Sequence, residues 1–471
     1  MSFATPVFLW VFLPVVLGLY WALPSSYRNG LLAVASLVFY AYGAHALVWI
    51  LLTAMIVNYT AGLALGSPRL SEQGRSRVLA TAVVVNLAIL GFWKYSGFLH
   101  QQAVDLASVF GGRSYTVTSV ALPIGISFFT FHHLSYLIDV RRHSREPLRR
   151  PVDFVTYIAM FPQLVAGPIV RFHEIADQLP ERRQDRLGDL AAGFPRFALG
   201  LTKKVLVADS LAPVADAAFG VDHGLTTGSA WLGVVCYTLQ IYFDFSGYSD
   251  MAIGLGRMFG FRLPENFARP YSATSITDFW RRWHMSLSRW FRDYLYIPLG
   301  GNRGGTRQTY RNLVLVFALT GLWHGAAWTF LLWGLYHGSL LIWERRGRDQ
   351  GSDPSLWARP RTLLLVMGGW VLFRAPSFGS AVSMLFAMVI PLHLSLNPEV
   401  ALALTSERTL VLALAGLVVL LPPGFVLGKV LDAGRGAAPA VARLGISSVG
   451  AAYAAVLVSA GTFSPFLYYQ F

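Results

Sequence analysis

The chain has 471 residues, of which 55% are hydrophobic and only 13% are charged, and its mean hydropathy is +0.50. Soluble domains carry about 25% charged residues, so this composition excludes an ordinary water-soluble protein. The net charge of +14 is concentrated in separate short segments such as 141–150 and 344–361. That distribution is typical of cytoplasmic loops between membrane helices and argues against nucleic-acid binding, which needs one continuous basic face. A single cysteine, Cys236, leaves no disulfide within the chain.

Apolar stretches long enough to cross a bilayer, which takes about 20 residues, recur along the whole sequence. They include residues 5–23, 47–65, 78–98, 152–170, 313–342 and 446–467. We therefore predict an all-α polytopic membrane protein with about 10–13 transmembrane or re-entrant helices and additional interfacial helices. The first stretch has no basic residue ahead of it, so we expect a retained anchor and not a cleaved signal peptide. Because the polar segments are too short to build a soluble core, residues 1–471 are predicted to form one membrane domain.

A polar run, YTLQIYFDFSGYSDMAIG (237–254), lies inside one of the apolar regions. Asp244 and Tyr248 are four residues apart and share a helix face, whereas Asp250 lies on a different side. Polar groups at membrane depth are costly and need partners. Two interpretations stay open: a hydrogen-bond network that ties helices together, or a polar lining of a substrate tunnel that would include Ser246.

The segment DFWRRWHMSLSRWFRDYLYIPLGGN (278–302) separates aromatic from cationic residues at about 100° per residue. One face of a helix would carry Trp280, Trp283, His284, Leu287, Trp290, Phe291 and Tyr294, and the other Arg281, Arg282, Arg289, Arg292 and Asp293. This pattern predicts an interfacial helix. Its arginines suit anionic lipid headgroups and a phosphate-bearing cytoplasmic substrate equally well.

A further histidine, His324, lies inside the apolar sequence TGLWHGAAW. A neutral imidazole can accept or donate a proton, and the adjacent Gly325 allows another group to approach closely. A structural hydrogen bond between helices is the alternative. Motifs of soluble enzymes and histidine spacings typical of metal sites are missing from the sequence, so general-base catalysis without a metal is the simplest chemistry. We interpret His132, His133 and His337 as structural.

Six sequence blocks carry a resemblance to a known family. They are LPIGISFFTF (122–131), FPQLVAGPIVRF (161–172), YFDFSGYSDMAIG (242–254), PENF (264–267), the long block that begins DFWRRWH at residue 278, and GLWHGAAWTF (321–330). Together they resemble the membrane-bound O-acyltransferase family, and more narrowly its bacterial branch that contains alginate O-acetyltransferase. The likeness covers nearly the whole chain, and the block at residue 278 is highly specific.

The resemblance implies a fold, an activity and a set of site residues. The implied fold is a ring of tilted helices around a central tunnel, with a catalytic core at about residues 115–345. The W-H-G histidine, here His324, would be catalytic, and the histidine of F-W-R-R-W-H, here His284, would be the second functional position. Residues expected along the tunnel or at the donor are Asp244, Ser246, Tyr248, Asn266, Trp280, Arg281, Arg282 and Trp323.

The implied reaction moves an acetyl group from a cytoplasmic thioester to a hydroxyl, for O-acetylation of an exported polysaccharide such as alginate. Acetyl-CoA or an acyl carrier would be the donor substrate, and no bound cofactor or metal is implied. The resemblance places the chain in the bacterial inner membrane, beside membrane lipids, with a separate periplasmic acetyltransferase or acceptor protein as partner. Two alternatives stay open: D-alanyl or other acyl transfer to a cell-envelope polymer, and a non-enzymatic transporter of a polysaccharide or lipid intermediate.

Overall fold

The computed structural model describes residues 1–113, 115–117, 121–180, 186–347, 355–391, 393–422, 437–459 and 466–467. These residues are mainly helical and contain no strand, which confirms the predicted all-α fold class. In chain order the α-helices are α1 (Leu13–Ala22), α2 (Ser25–Ala44), α3 (Val48–Leu65), α4 (Glu72–Val109), α5 (Ile126–Arg141), α6 (Pro151–Ala159), α7 (Phe161–Leu164), α8 (Phe172–Ile175), α9 (Arg186–Thr202), α10 (Asp209–Phe219), α11 (Thr227–Met258), α12 (Ile276–Arg282), α13 (Met285–Phe291), α14 (Gly305–His324), α15 (Trp328–Arg346), α16 (Ala358–Arg374), α17 (Phe378–Val389), α18 (Pro398–Ala403), α19 (Ser406–Leu420) and α20 (Ala437–Ser459). Shorter π-helical segments are Phe8–Phe12, Lys203–Ala208 and Arg292–Tyr296, and 3₁₀ turns are His45–Leu47, Ala176–Gln178 and Pro270–Ser272.

The chain divides into two compact units. The first contains Met1–Gly193 and Leu255–Pro264, and the second contains Phe194–Gly254 and Glu265–Phe471. The organisation as a single membrane domain stays a prediction. Both histidines named in the two family motifs belong to the second unit.

Buried amide groups connect the helices of the first unit. The amides of Asn58 on α3 and Asn86 on α4 exchange hydrogen bonds of 3.0 and 2.7 Å. Asn29 on α2 donates to the Asp153 carboxylate on α6 at 2.6 Å. Such bonds satisfy polar groups that would be costly to bury alone.

Two helical stretches among the described residues are long and apolar enough to cross a bilayer by length and composition, Ser25–Leu65 and Glu72–Val109. They contain two of the predicted spans, 47–65 and 78–98. The total of about 10–13 transmembrane or re-entrant segments stays a prediction.

Several predicted apolar spans differ from continuous helices. The span 152–170 does not form one continuous helix, because α6 ends at Ala159 and only Phe161–Leu164 is helical beyond it. The span 313–342 is interrupted after His324 and forms the two helices α14 and α15. Of the span 446–467, residues 460–465 lie outside the described residues.

The predicted interfacial helix over 278–294 is also interrupted. Helix α12 ends at Arg282, Trp283 is extended (φ −101°, ψ 131°), and His284 adopts the left-handed conformation (φ 42°, ψ 54°) before α13 begins. The predicted division into two faces is nevertheless confirmed by burial. The aromatic set is buried throughout, whereas Arg281 and Arg292 are exposed and Arg282, Arg289 and Asp293 are partly exposed. Helical periodicity therefore predicted which side chains are buried but missed the backbone break.

Helix α15 positions the other elements of the site in the second unit. Its glycine Gly334 crosses Gly321 of α14 at backbone contact. At its far end the Glu344 carboxylate accepts hydrogen bonds from the backbone N–H groups of Ile276 and Thr277, the second at 2.9 Å. Those N–H groups are the first of α12 and have no partner within the helix. The carboxylate also complements the positive end of the α12 dipole.

Candidate active site

His324 is the last residue of α14 and is surrounded by aromatic rings. Its imidazole centroid lies 4.9 Å from the ring of Trp323, 5.1 Å from Trp333 and 5.2 Å from Phe373, all nearly perpendicular. The side chain is buried. These walls exclude water from the imidazole, and a hydrogen bond or charge interaction is stronger in such a medium.

Glycines allow this arrangement. A β-carbon on Gly325 would lie 2.1 Å from the Phe330 ring, so only glycine fits directly after His324. A β-carbon on Gly321 would lie 2.2 Å from the Phe330 carbonyl oxygen. The chain can therefore turn back as α15 immediately beyond the histidine, and this places Trp333 against it.

His284 lies in the break between α12 and α13 and is completely buried. Its ring centroid lies 4.7 Å from Phe245 on α11 and 6.0 Å from Trp323 on α14. The structure therefore brings the two predicted histidines together, because the Trp323 indole contacts both of them. The predicted site residue Trp323 is thus part of the same cluster.

Asn266 holds His284 through several hydrogen bonds. Its side-chain oxygen lies 3.1 Å from His284 Nδ1, and it accepts hydrogen bonds from the Ser286 hydroxyl at 2.9 Å and from the Ser286 backbone N–H at 3.2 Å. Its backbone carbonyl accepts from the Met285 N–H at 2.9 Å. A left-handed conformation is uncommon for a residue other than glycine, and these bonds stabilise it at His284.

A family model described as MBOAT, membrane-bound O-acyltransferase family, matches residues 37–364, which include the whole cluster. The chain belongs to the membrane-bound O-acyltransferase family. It is therefore a membrane protein and an O-acyltransferase.

Relatives of this acyltransferase carry the names of enzymes that acylate alginate, peptidoglycan and teichoic acid. The chain is 50% identical over 392 residues to a probable alginate O-acetylase AlgI of Azotobacter vinelandii, covering 82% of this chain and 78% of the relative. It is 36% identical over 423 residues to a peptidoglycan O-acetyltransferase of Helicobacter pylori, with coverage of 82% and 79%. It is 30% identical over 234 residues to a teichoic acid D-alanyltransferase of Bacillus subtilis, with coverage of 46% and 58%.

The predicted tunnel residue Asp244 is an ion-pair partner in this acyltransferase. Its carboxylate lies 3.0 Å from Lys204 Nζ and accepts a hydrogen bond from the Leu467 backbone N–H, also at 3.0 Å. Asp250 is paired with Lys203 at 2.5 Å and with Arg196 at 2.7 Å. The interpretation as a network that ties segments together therefore describes both aspartates.

Tyr248 and Ser246 of the polar run are also buried. Tyr248 packs edge-on against Phe466 with a centroid distance of 4.7 Å, beside the Asp244 contact with Leu467. This confirms that Asp244 and Tyr248 share a face of α11. The Ser246 hydroxyl has no hydrogen-bond partner among the described residues. A role of either residue in a tunnel stays a prediction.

The predicted donor residues of α12 separate into two environments. Trp280 is buried, with its ring 5.7 Å from Trp333 and 5.2 Å from His337. Arg281 is exposed, whereas Arg282 is paired with Asp278 at 2.9 Å. Arg281 is therefore the better placed of the two arginines to bind a phosphate from solution.

Sequence reasoning missed Trp333, which contacts both His324 and Trp280. It is fully buried, and its indole N–H has no hydrogen-bond partner among the described residues. His337, interpreted from the sequence as structural, lies 5.1 Å from the same indole. The spacing Gly321-x₃-Gly325 and Gly334-x₃-Gly338 would have predicted a close helix crossing here, and hence a neighbour for His324 on α15.

Proposed function

We propose that the enzyme transfers an acetyl group from acetyl-CoA to a hydroxyl group in the O-acetylation of an exported polysaccharide, alginate or a similar polymer. The pairing of two fully enclosed histidines around Trp323 is the observation that carries this proposal. It is supported by the 50% identity to the probable alginate O-acetylase. The 36% identity to the peptidoglycan O-acetyltransferase also supports the transfer of an acetyl group to a glycan.

In the proposed reaction, His324 is the general base. It accepts the proton of the acceptor hydroxyl while the oxygen adds to the thioester carbonyl carbon. The carbon–sulfur bond then breaks, and the departing thiolate takes the proton from the imidazolium. Overall the acceptor hydroxyl becomes an ester and the donor becomes a free thiol, with His324 regenerated.

The tetrahedral intermediate carries an oxyanion that needs hydrogen-bond donors. The indole N–H of Trp333 is the candidate, because it is buried, has no partner among the described residues and belongs to a ring that contacts His324. Burial makes such a donor more effective than it would be in water. Tyr248, by contrast, packs against Phe466.

The enzyme would reside in the bacterial inner membrane, with the donor arriving from the cytoplasm. Arg281 and its cationic neighbours would bind the CoA phosphates by charge-assisted hydrogen bonds. A separate periplasmic acetyltransferase or acceptor protein would complete transfer to the polymer.

A second candidate donor follows from the teichoic acid relative, which is 30% identical over about half of this chain. In that case a D-alanyl group would come from a carrier protein. The histidine cluster would perform the same acyl transfer, so donor identity alone separates the two candidates.

Donor identity is tested with the purified enzyme in lipid nanodiscs. Radiolabelled acetyl-CoA and a D-alanyl carrier-protein thioester are supplied in parallel, and thiol release and label transfer are measured. We expect the wild-type enzyme to release thiol from acetyl-CoA and His324→Ala to lose this release. His223 is an exposed histidine of the same unit, so the control His223→Ala should keep it. Release from the carrier thioester alone would favour D-alanyl transfer, and release from neither donor would overturn the proposal.

A further inference from the structure

The hydrogen bonds of Asn266 determine which atom of its amide faces His284. The Asn266 amide atom that contacts His284 Nδ1 also forms a hydrogen bond with the Ser286 backbone N–H. A backbone N–H can only donate, so this atom is the amide oxygen. The amide nitrogen then donates to the Ser249 hydroxyl at 3.1 Å, which is consistent with that orientation.

The orientation of Asn266 fixes the tautomer of His284. The amide oxygen carries no hydrogen, so the proton of the bond must belong to His284 Nδ1. The imidazole is fully buried and faces a neutral amide, and an isolated charge would be costly to bury there. The neutral ring therefore carries its proton on Nδ1 and its lone pair on Nε2.

Charged groups on the surrounding elements are paired elsewhere. On α11, Asp250 is bound by Lys203 and Arg196, and Arg196 also binds Glu265 at 2.6 Å. On α14, the titratable His324 has its ring centroid 4.9 Å from that of Trp323, which in turn lies 6.0 Å from His284. On the elements of His284 itself, Arg282 is paired with Asp278 and Arg289 donates to the Glu265 carbonyl. The neutral amide of Asn266 contacts Nδ1 at 3.1 Å.

We propose that Asn266 is a positioning residue that holds His284 with its proton on Nδ1, so that Nε2 accepts a hydrogen bond from the hydroxyl of the acyl acceptor. This inference rests on the proposed acyl transfer to a hydroxyl. It assigns His284 to the acceptor substrate and removes it from the possible donors to the oxyanion. The two histidines then have different roles, because His284 orients the hydroxyl that His324 deprotonates.

Asn266→Asp tests this role through the pH dependence of turnover. A carboxylate beside Nδ1 stabilises the imidazolium and raises the pKa of His284. We expect the acid limb of the kcat profile to move to higher pH by about one unit or more. In Ser249→Ala, which removes the partner on the far side of the amide, the limb should remain at the wild-type position. A wild-type limb in Asn266→Asp, with kcat lowered equally at every pH, would overturn the positioning role.

The tautomer itself is measurable without turnover. The ¹⁵N spectrum of histidine-labelled enzyme distinguishes protonated from unprotonated ring nitrogens, and subtraction of the His284→Asn spectrum isolates His284. Asparagine suits this subtraction because it tolerates the left-handed conformation. We expect a protonated Nδ1 and an unprotonated Nε2, and the reverse tautomer would overturn the inference. If the wild-type enzyme used no acyl donor, the proposed function would fail while this spectrum still decided the tautomer.

Discussion

The backbones of Gly321 and Gly334 pass so closely that neither residue can carry a β-carbon. A β-carbon on Gly334 would lie 2.2 Å from the Phe317 carbonyl oxygen and 3.3 Å from the Gly321 α-carbon. The crossing lies three residues before His324 and one residue after Trp333. Contact between α14 and α15 therefore fixes the distance between the candidate base and the candidate oxyanion donor.

Gly334→Ala should separate these helices and displace Trp333 from His324. Overpacking of this kind costs about 1–3 kcal/mol of stability. The turnover of the folded enzyme should also fall, because the geometry of the reacting groups changes. The matched control is Gly91→Ala on α4, where a β-carbon meets no atom within 4 Å. The unfolding temperature and the turnover of both variants are measured in detergent. Those of the control should equal or slightly exceed the wild-type values, since alanine favours a helix. Equal behaviour of the two variants would contradict the account of the crossing.

Trp333→Phe removes the indole N–H and puts a smaller ring at a fully buried position. Removal of one oxyanion donor costs about 10²–10³-fold in kcat, so we expect a loss of that order, together with a loss of stability from the smaller ring. The control is Trp370→Phe, whose indole donates to the Tyr271 hydroxyl at 3.1 Å. That variant should lose about 1 kcal/mol of stability and little kcat. Wild-type kcat in Trp333→Phe would exclude this donor.

Lys204 should matter more for stability than Asp244. Its ammonium lies between two carboxylates, 2.5 Å from Asp209 and 3.0 Å from Asp244. Lys204→Met leaves both carboxylates buried without a cation, which costs about 3–5 kcal/mol, whereas Asp244→Asn leaves the Asp209 pair intact. Urea or thermal unfolding of the two variants compares them directly. A larger loss in Asp244→Asn would show that the pairing with Asp209 does not support Lys204.

Arg281→Gln should weaken the binding of acetyl-CoA, because the variant loses a charged hydrogen-bond donor to the phosphates of this substrate. Hydrogen bonds to charged groups contribute about 1.5–3 kcal/mol, so KM for acetyl-CoA should rise roughly tenfold or more. Acetyl-pantetheine, which lacks the phosphates, serves as the matched substrate and should show no change in KM. A similar rise for both substrates would mean that Arg281 acts on the fold and not on the phosphates.

The fold class and the buried faces could be predicted from sequence because both depend on local hydrophobicity. The aromatic side of residues 280–294 is buried as its helical spacing indicates. The break at Trp283 and His284 could not be predicted, because it depends on Asn266, which reaches the segment from 18 residues earlier along the chain. Tertiary hydrogen bonds override helical periodicity there.

The site was only partly predictable. Family motifs indicated His324 and His284, and the structure brings them together around Trp323. They gave no indication of Trp333, which reaches His324 only because two glycines let α15 approach α14. The pairing of Asp244 with Lys204 was equally hidden, since the two residues are 40 positions apart and meet only in the folded chain.

His324 is proposed as the base for acyl transfer, and the kcat of His324→Ala tests this role most directly. General-base catalysis contributes about 10²–10⁴-fold, so acetyl transfer from acetyl-CoA should fall by that factor. The unfolding temperature and the KM for acetyl-CoA should remain near wild type. A folded His324→Ala enzyme with kcat within a few-fold of wild type would contradict the account.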